Sequence, residues 1–177
     1  MAIRVLDKSF TLFLSEEVIQ ERITALAQKI NVDYFGKNPL FIGILNGSFM
    51  FASDLFKQIT IPASISFIKL VSYKGTTSTG TVITSIGLEE DLQERDVILI
   101  EDIVDTGKTM SDFIPSLQKQ HPASIKICTL LHKPDALQHN LQIDYVGFNI
   151  PDKFVVGYGL DYDGYGRNSR EIFHLEE

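Results

Sequence analysis

The stretch Asp96-Val-Ile-Leu-Ile-Glu-Asp-Ile-Val-Asp-Thr-Gly-Lys-Thr109 constrains the fold of this 177-residue chain more than any other. Four apolar residues in a row end in two adjacent acids, Glu101 and Asp102, and a tight Asp105-Thr-Gly-Lys-Thr109 turn follows. An unbroken Val/Ile/Leu run reads as a buried parallel strand, because both faces of such a strand are covered. The turn puts small and hydroxyl residues where a helix should begin, and open α/β sheets bind ligands at the carboxyl ends of their strands. Successive amides of Thr106, Gly107, Lys108 and Thr109 at a helix N-terminus, with the local dipole, suit a phosphate dianion. The plainer alternative is that Asp105 only caps the helix.

Gly107-Lys108-Thr109 also mimics the end of a nucleotide-triphosphate P-loop. That motif requires a glycine five positions before Gly107. Asp102 stands there, preceded by Glu101, and two carboxylates would repel a triphosphate wrapped by the loop. The P-loop reading fails. The two acids are either the hydrated tip of a strand or acceptors for vicinal sugar hydroxyls and Mg²⁺-bound waters.

The remaining pattern alternates. Ser15 is placed to cap a helix over 16–30, where Ile19, Ile23, Leu26, Ala27 and Ile30 recur at helical spacing. Strands are expected over 40–45, 64–71, 81–87, 124–131, 145–148 and 154–158, and helices to about 58 and over 108–119. Pro115 inside the last helix predicts a kink or an early stop. Residues 72–80 carry no apolar periodicity and read as a mobile loop. Strands alternating with helices indicate an α/β domain with a mainly parallel sheet. One domain over 1–177 is expected, with a flap over about 145–177.

Apolar content of 44% and charged content of 22% are those of an ordinary globular protein. A net charge of −7 argues against a general nucleic-acid or anionic-membrane surface. No apolar run approaches the ~18 residues of a membrane span, and the N-terminus lacks a secretory pattern. The one cysteine, Cys128, lies in an apolar run and cannot form an intrachain disulfide. A cytoplasmic setting is the expectation, with Cys128 as a buried structural thiol.

The segment Val97-Ile-Leu-Ile-Glu-Asp-Ile-Val-Asp-Thr-Gly-Lys-Thr109 resembles the phosphoribosyl-pyrophosphate (PRPP) signature of type I phosphoribosyltransferases. Gly43-Ile-Leu-Asn-Gly-Ser48, Ser72-Tyr73, His132-Lys133-Pro134 and Val146-Gly-Phe-Asn-Ile-Pro-Asp-Lys-Phe-Val-Val-Gly-Tyr-Gly-Leu-Asp-Tyr162 match further family segments in order. The last narrows the resemblance to the hypoxanthine-guanine (6-oxopurine) branch. The resemblance implies a mainly parallel twisted sheet flanked by helices, with a small hood or flap and a flexible active-site loop. It implies that Asp105, Thr106, Gly107, Lys108 and Thr109 hold the 5′-phosphate and that Glu101 and Asp102 face the ribose. Leu45, Asn46 and Gly47, often around a non-proline cis peptide in this family, would bind pyrophosphate together with Arg167. Many relatives carry Lys or Arg where this chain has Asn46.

By the same resemblance, Lys133 would donate to purine O6 and N7, Phe154 would stack on the base, and Val155 would meet its edge. An ammonium has three donors and no acceptor, which suits a 6-oxo group and disfavours a 6-amino group. Without the resemblance, Phe154 reads as core and Lys133 as a surface lysine. Asp161 matches an aspartate beside the purine and a second Mg²⁺, so Glu101, Asp102 and Asp161 form the implied metal set. Taken alone, Asp161-Tyr-Asp-Gly164 is equally a turn. Ser72 and Tyr73 would sit on a closing lid, and Asp105 would be the catalytic acid-base or charge-stabilising group. The implied partners are PRPP and a 6-oxopurine, in a homodimer or homotetramer, with neither nucleic acid nor membrane. The rival is a noncatalytic PRPP-sensing regulator of the same fold.

Overall fold

A computed structural model describes residues 1–72 and 82–176, apart from the side chains of 71, 72 and 82–86. The strands are β1 (Ala2–Val5), β2 (Lys8–Leu14), β3 (Leu40–Leu45), β4 (Ser64–Ser72), β5 (Val82–Ile86), β6 (Asp96–Val104), β7 (Ser124–His132), β8 (Tyr145–Asn149), β9 (Val155–Val156) and β10 (Ile172–Leu175). The α-helices are α1 (Glu16–Asp33), α2 (Phe49–Phe56) and α3 (Lys108–Gln118).

The main sheet has the order β5-β4-β3-β6-β7-β8. Strands β4, β3, β6, β7 and β8 run parallel, and β5 is antiparallel to β4. From β3 the chain moves outward to β4, and from β6 it moves the other way to β7. The sheet therefore reverses direction between β3 and β6, and a crevice forms where the loops leaving two such strands diverge. The apolar run of the PRPP-like motif is buried because side chains on both faces are covered. Ile98 and Ile100 pack toward α1 and α2, whereas Val97 and Leu99 pack toward Met110, Phe113 and Leu117 of α3.

Four details differ from the sequence reading. Helix α1 continues to Asp33, because buried Tyr34 extends the series Ile19, Ile23, Leu26 and Ile30. Pro115 does not stop α3 early. The helix reaches Gln118, and burial of Phe113 and Leu117 offsets the missing proline donor. A second sheet, of order β1-β2-β10-β9, was not expected; it is antiparallel and joins residues 2–14 to the tail.

The fourth difference is the flap boundary. Tyr145–Asn149 is an edge strand of the main sheet, since β8 pairs with β7, and only β9 and β10 of the tail join the small sheet. The expected loop at 72–80 lies outside the described residues, save for Ser72 at the end of β4.

Candidate active site

Strand β6 stays in the sheet through Glu101 and Asp102, so these acids are no hydrated tip. Glu101 is 8% exposed. Burial is the first cause holding its carboxyl well above the ordinary 4.5, and the neighbouring Asp102 charge adds to it. Asp102 is also raised, first by burial; its hydrogen bonds from Glu101 and the Ile103 amide, and the Arg167 charge, oppose the rise. Two adjoining buried carboxyls cannot both ionise readily unless a cation joins them. All-oxygen donors of this kind suit Mg²⁺, which keeps several waters and borrows phosphate oxygens. Among the described residues, no three His, Cys, Asp or Glu side chains form a metal cage. Asp161, the third acid of the implied set, lines the same cavity but is engaged elsewhere. It pairs with Arg167 Nη2 at 2.7 Å and accepts from the Gly164 amide at 2.6 Å.

The turn after β6 borders the cavity with residues 106–109. Gly107 is the N-cap of α3 with φ +80°, a left-handed conformation that a glycine adopts without steric cost. The glycine N-cap offers no side-chain bond, and the Lys108 amide donates to Thr106 Oγ1 at 3.3 Å, so the side chain that meets this helix end is that of Thr106 and not of Asp105. The Lys108 ammonium pairs with Asp112, one turn along α3, at 2.7 Å. Across the crevice, the Leu45–Asn46 peptide at the end of β3 is cis. Gly47 follows, so close to Asp102 that a Cβ there would overlap the carboxylate.

These parts enclose a cavity of about 310 Å³ lined by Leu45, Gly47, Glu101, Asp102, residues 103–110, Asp161 and Arg167. Asn46 is not among its lining residues. Arg167 is held there by donating to Gly159 O at 2.6 Å as well as by Asp161.

A second cavity of about 230 Å³ is lined by Asp102, Ile103, Asp105, Lys133, Phe154, Val155, Leu160 and Asp161. Asp105 thus belongs to both cavities, together with Asp102, Ile103 and Asp161. Phe154 is 46% exposed, so it is not core. Its ring leans on Tyr162 and on the fully buried Phe10 of β2. Val155 is buried in β9, opposite His174. Lys133 is no surface lysine: the residue is 6% exposed, and its Nζ lies 3.0 Å from both Asp105 Oδ2 and Asp152 Oδ1. Burial alone would pull its pKa down, but Asp152 and Asp105 outweigh it, and the pKa is raised.

Sequence reasoning had missed Asp152 and Phe10. The alternation of Phe10 and Leu12 with Ser9 and Thr11 was the available signal for β2. Tyr73 falls outside the described residues, and the side chain of Ser72 is not described.

The phosphoribosyl transferase domain family matches residues 14–163 of the chain. A hypoxanthine-guanine phosphoribosyltransferase of Mycobacterium bovis is 42% identical over 160 residues, which are 86% of this chain and 79% of that protein. One from Aquifex aeolicus is 37% identical over 172 residues, covering 96% of this chain and 97% of the relative. A crystal structure of a hypoxanthine phosphoribosyltransferase from Staphylococcus aureus superimposes with a TM-score of 0.89 at 43% identity. It covers 93% of this chain and 90% of that one.

Proposed function

Since the chain belongs to the phosphoribosyltransferase family, we propose that it is a purine-salvage enzyme that transfers ribose 5-phosphate from PRPP to a 6-oxopurine. The new bond is to N9 of hypoxanthine or guanine, giving IMP or GMP and releasing pyrophosphate. The observation that carries this reading is the sharing of Asp105 by two cavities. One is lined by the N-terminal residues of a helix and a guanidinium, as a phosphorylated donor needs. The other has an ammonium and an aromatic ring, as a planar 6-oxo base needs.

Each residue then has a task. The amides of residues 106–109 hold the 5′-phosphate beside Asp105. Glu101 and Asp102 orient the ribose hydroxyls. Arg167 and the main chain of Leu45, Asn46 and Gly47 bind the departing pyrophosphate, an electrostatic role suited to a guanidinium fork. Main-chain binding is consistent with Asn46 replacing the cation of many relatives. Lys133 donates to O6, Phe154 stacks on the base, and Val155 and Asp161 border its edge. Asp105 stabilises the positive charge developing at the ribose or accepts the N7 proton. Mg²⁺ supplies charge neutralisation to the leaving group when bound, and Glu101, Asp102 and Asp161 are the carboxylates that would hold it, directly or through its waters.

The same proposal includes one domain, a lid carrying Ser72 and Tyr73 that excludes water, a homodimer or homotetramer, and a cytoplasmic setting. The single cysteine, Cys128, is buried and has no second cysteine to pair with, which fits a reducing compartment. Among the described residues, no helix is long and apolar enough to cross a membrane.

Pyrophosphate release from PRPP, measured with Mg²⁺ and hypoxanthine, guanine or xanthine in turn, tests the reading. Release with at least one of them is expected. A protein that binds PRPP but releases no pyrophosphate with any base would instead be a noncatalytic PRPP sensor.

A further inference from the structure

Lys133 ends β7, and the two strand ends beside it are tied together. His132 Nδ1 meets Asn149 Oδ1 at 3.0 Å, and the Ile150 amide donates to His132 O at 2.8 Å. The chain then turns through Pro151, with the Lys153 amide donating to Pro151 O at 2.7 Å. This fixes the backbone of Asp152 relative to that of Lys133. The Asp152 carboxylate reaches Nζ at 3.0 Å from outside the base cavity, whose lining does not include it. Its side chain is 67% exposed, whereas that of Lys133 is 8% exposed.

We propose that Asp152 is a positioning residue for the acceptor base: it holds the Lys133 ammonium so that one donor points at the purine and Asp105 is not fully claimed by the lysine. The inference rests on the transferase reading and deepens it. An ammonium has three N–H donors. Asp105 takes one and Asp152 another. The third is left for an acceptor inside the cavity, where the 6-oxo oxygen would lie. With Asp105 as the sole partner, the lysine would be drawn toward the carboxylate on which the chemistry depends. Asp152 supplies the opposing pull and keeps the buried amine in company with negative charge, which favours its protonated form.

The test is steady-state kinetics of the full-length protein with PRPP and hypoxanthine. Asp152→Asn should raise the purine KM and lower kcat/KM for the base by roughly three- to tenfold, intermediate between an exposed and a buried charge pair. The PRPP KM should not change. Asp152→Glu should recover part of the loss. In a Lys133→Ala background, Asp152→Asn should have no further effect, because the aspartate acts through the lysine. A thermal melt of each variant separates these effects from unfolding; the exposed carboxylate predicts unchanged midpoints.

An Asp152→Asn protein with wild-type purine kinetics would overturn the inference. So would equal losses toward both substrates, or a further loss in the Lys133→Ala background. An inactive wild-type protein would remove the transferase reading and this inference together. An active wild type indifferent to Asp152 would remove the inference alone.

Discussion

Asp105 is one of four residues shared by the two halves of the site, and substitutions at it and across the crevice separate binding from chemistry. Asp105→Asn keeps the size of the side chain and removes its charge. Retained PRPP binding is expected, with turnover reduced by about 10²–10⁴-fold, the range for a positioned proton-transfer group. Isothermal titration with PRPP alongside single-turnover kinetics checks both parts, and near-wild-type turnover would exclude the role. Gly47→Ala probes the other side of the crevice, because the added methyl must displace the Asp102 carboxylate or the loop itself. A misplacement of that size should weaken PRPP or pyrophosphate binding by about ten- to a hundredfold without unfolding the protein. Unchanged affinity would show that the close approach has no binding role. The motif from Glu101 to Thr109 was legible in the sequence because its residues are contiguous. Asp152 was not, since its bond to Lys133 exists only once β7 and β8 lie side by side.

Among the elements, strands with unbroken apolar runs were located correctly: β3 matches its expected bounds, β7 runs one residue beyond them, and β6 continues four residues past its apolar run, to Val104. The short antiparallel strands β1, β2 and β10 were not read, because pairing of residues 2–14 with 172–175 is a long-range event that local periodicity does not encode. That sheet nevertheless bears on the site: Phe10 of β2 supports the exposed ring of Phe154. Helix α2 makes a comparable tie. Asp54 accepts from Tyr158 at 2.5 Å and Gln20 at 2.9 Å and pairs with Lys57 at 2.6 Å. Burial pushes its pKa up, but these three partners prevail and lower it below the ordinary 3.8. A depressed carboxylate stabilises the fold fully above that value, and the contribution disappears as pH falls through the folded pKa. Asp54→Asn should therefore lower stability by about 1–2 kcal/mol at neutral pH, allowing for its partial exposure. The gap from wild type should close in acid below pH 3.8. Denaturant unfolding at the two pH values would decide it, a gap independent of pH being the contrary result.

At the scale of the whole molecule, the topology explains why one site is built from such distant segments. The reversal between β3 and β6 opens the crevice, the first residues of helix α3 line it, and the small sheet carries Val155, with Phe154 just before it, to its rim. The α/β class was legible because strand–helix alternation is local, and so was the motif at the end of β6 that lines the larger cavity of the site, because its residues are contiguous. The division into two cavities was not, because it depends on how the tail folds back over the main sheet. That division is the central claim, and Lys133→Ala tests it most directly when both Michaelis constants are measured in one assay. The purine KM should rise by about ten- to a hundredfold, as expected when a buried acceptor loses its donor. The PRPP KM should stay within experimental error of wild type. Equal losses toward both substrates would contradict a site divided between donor and acceptor.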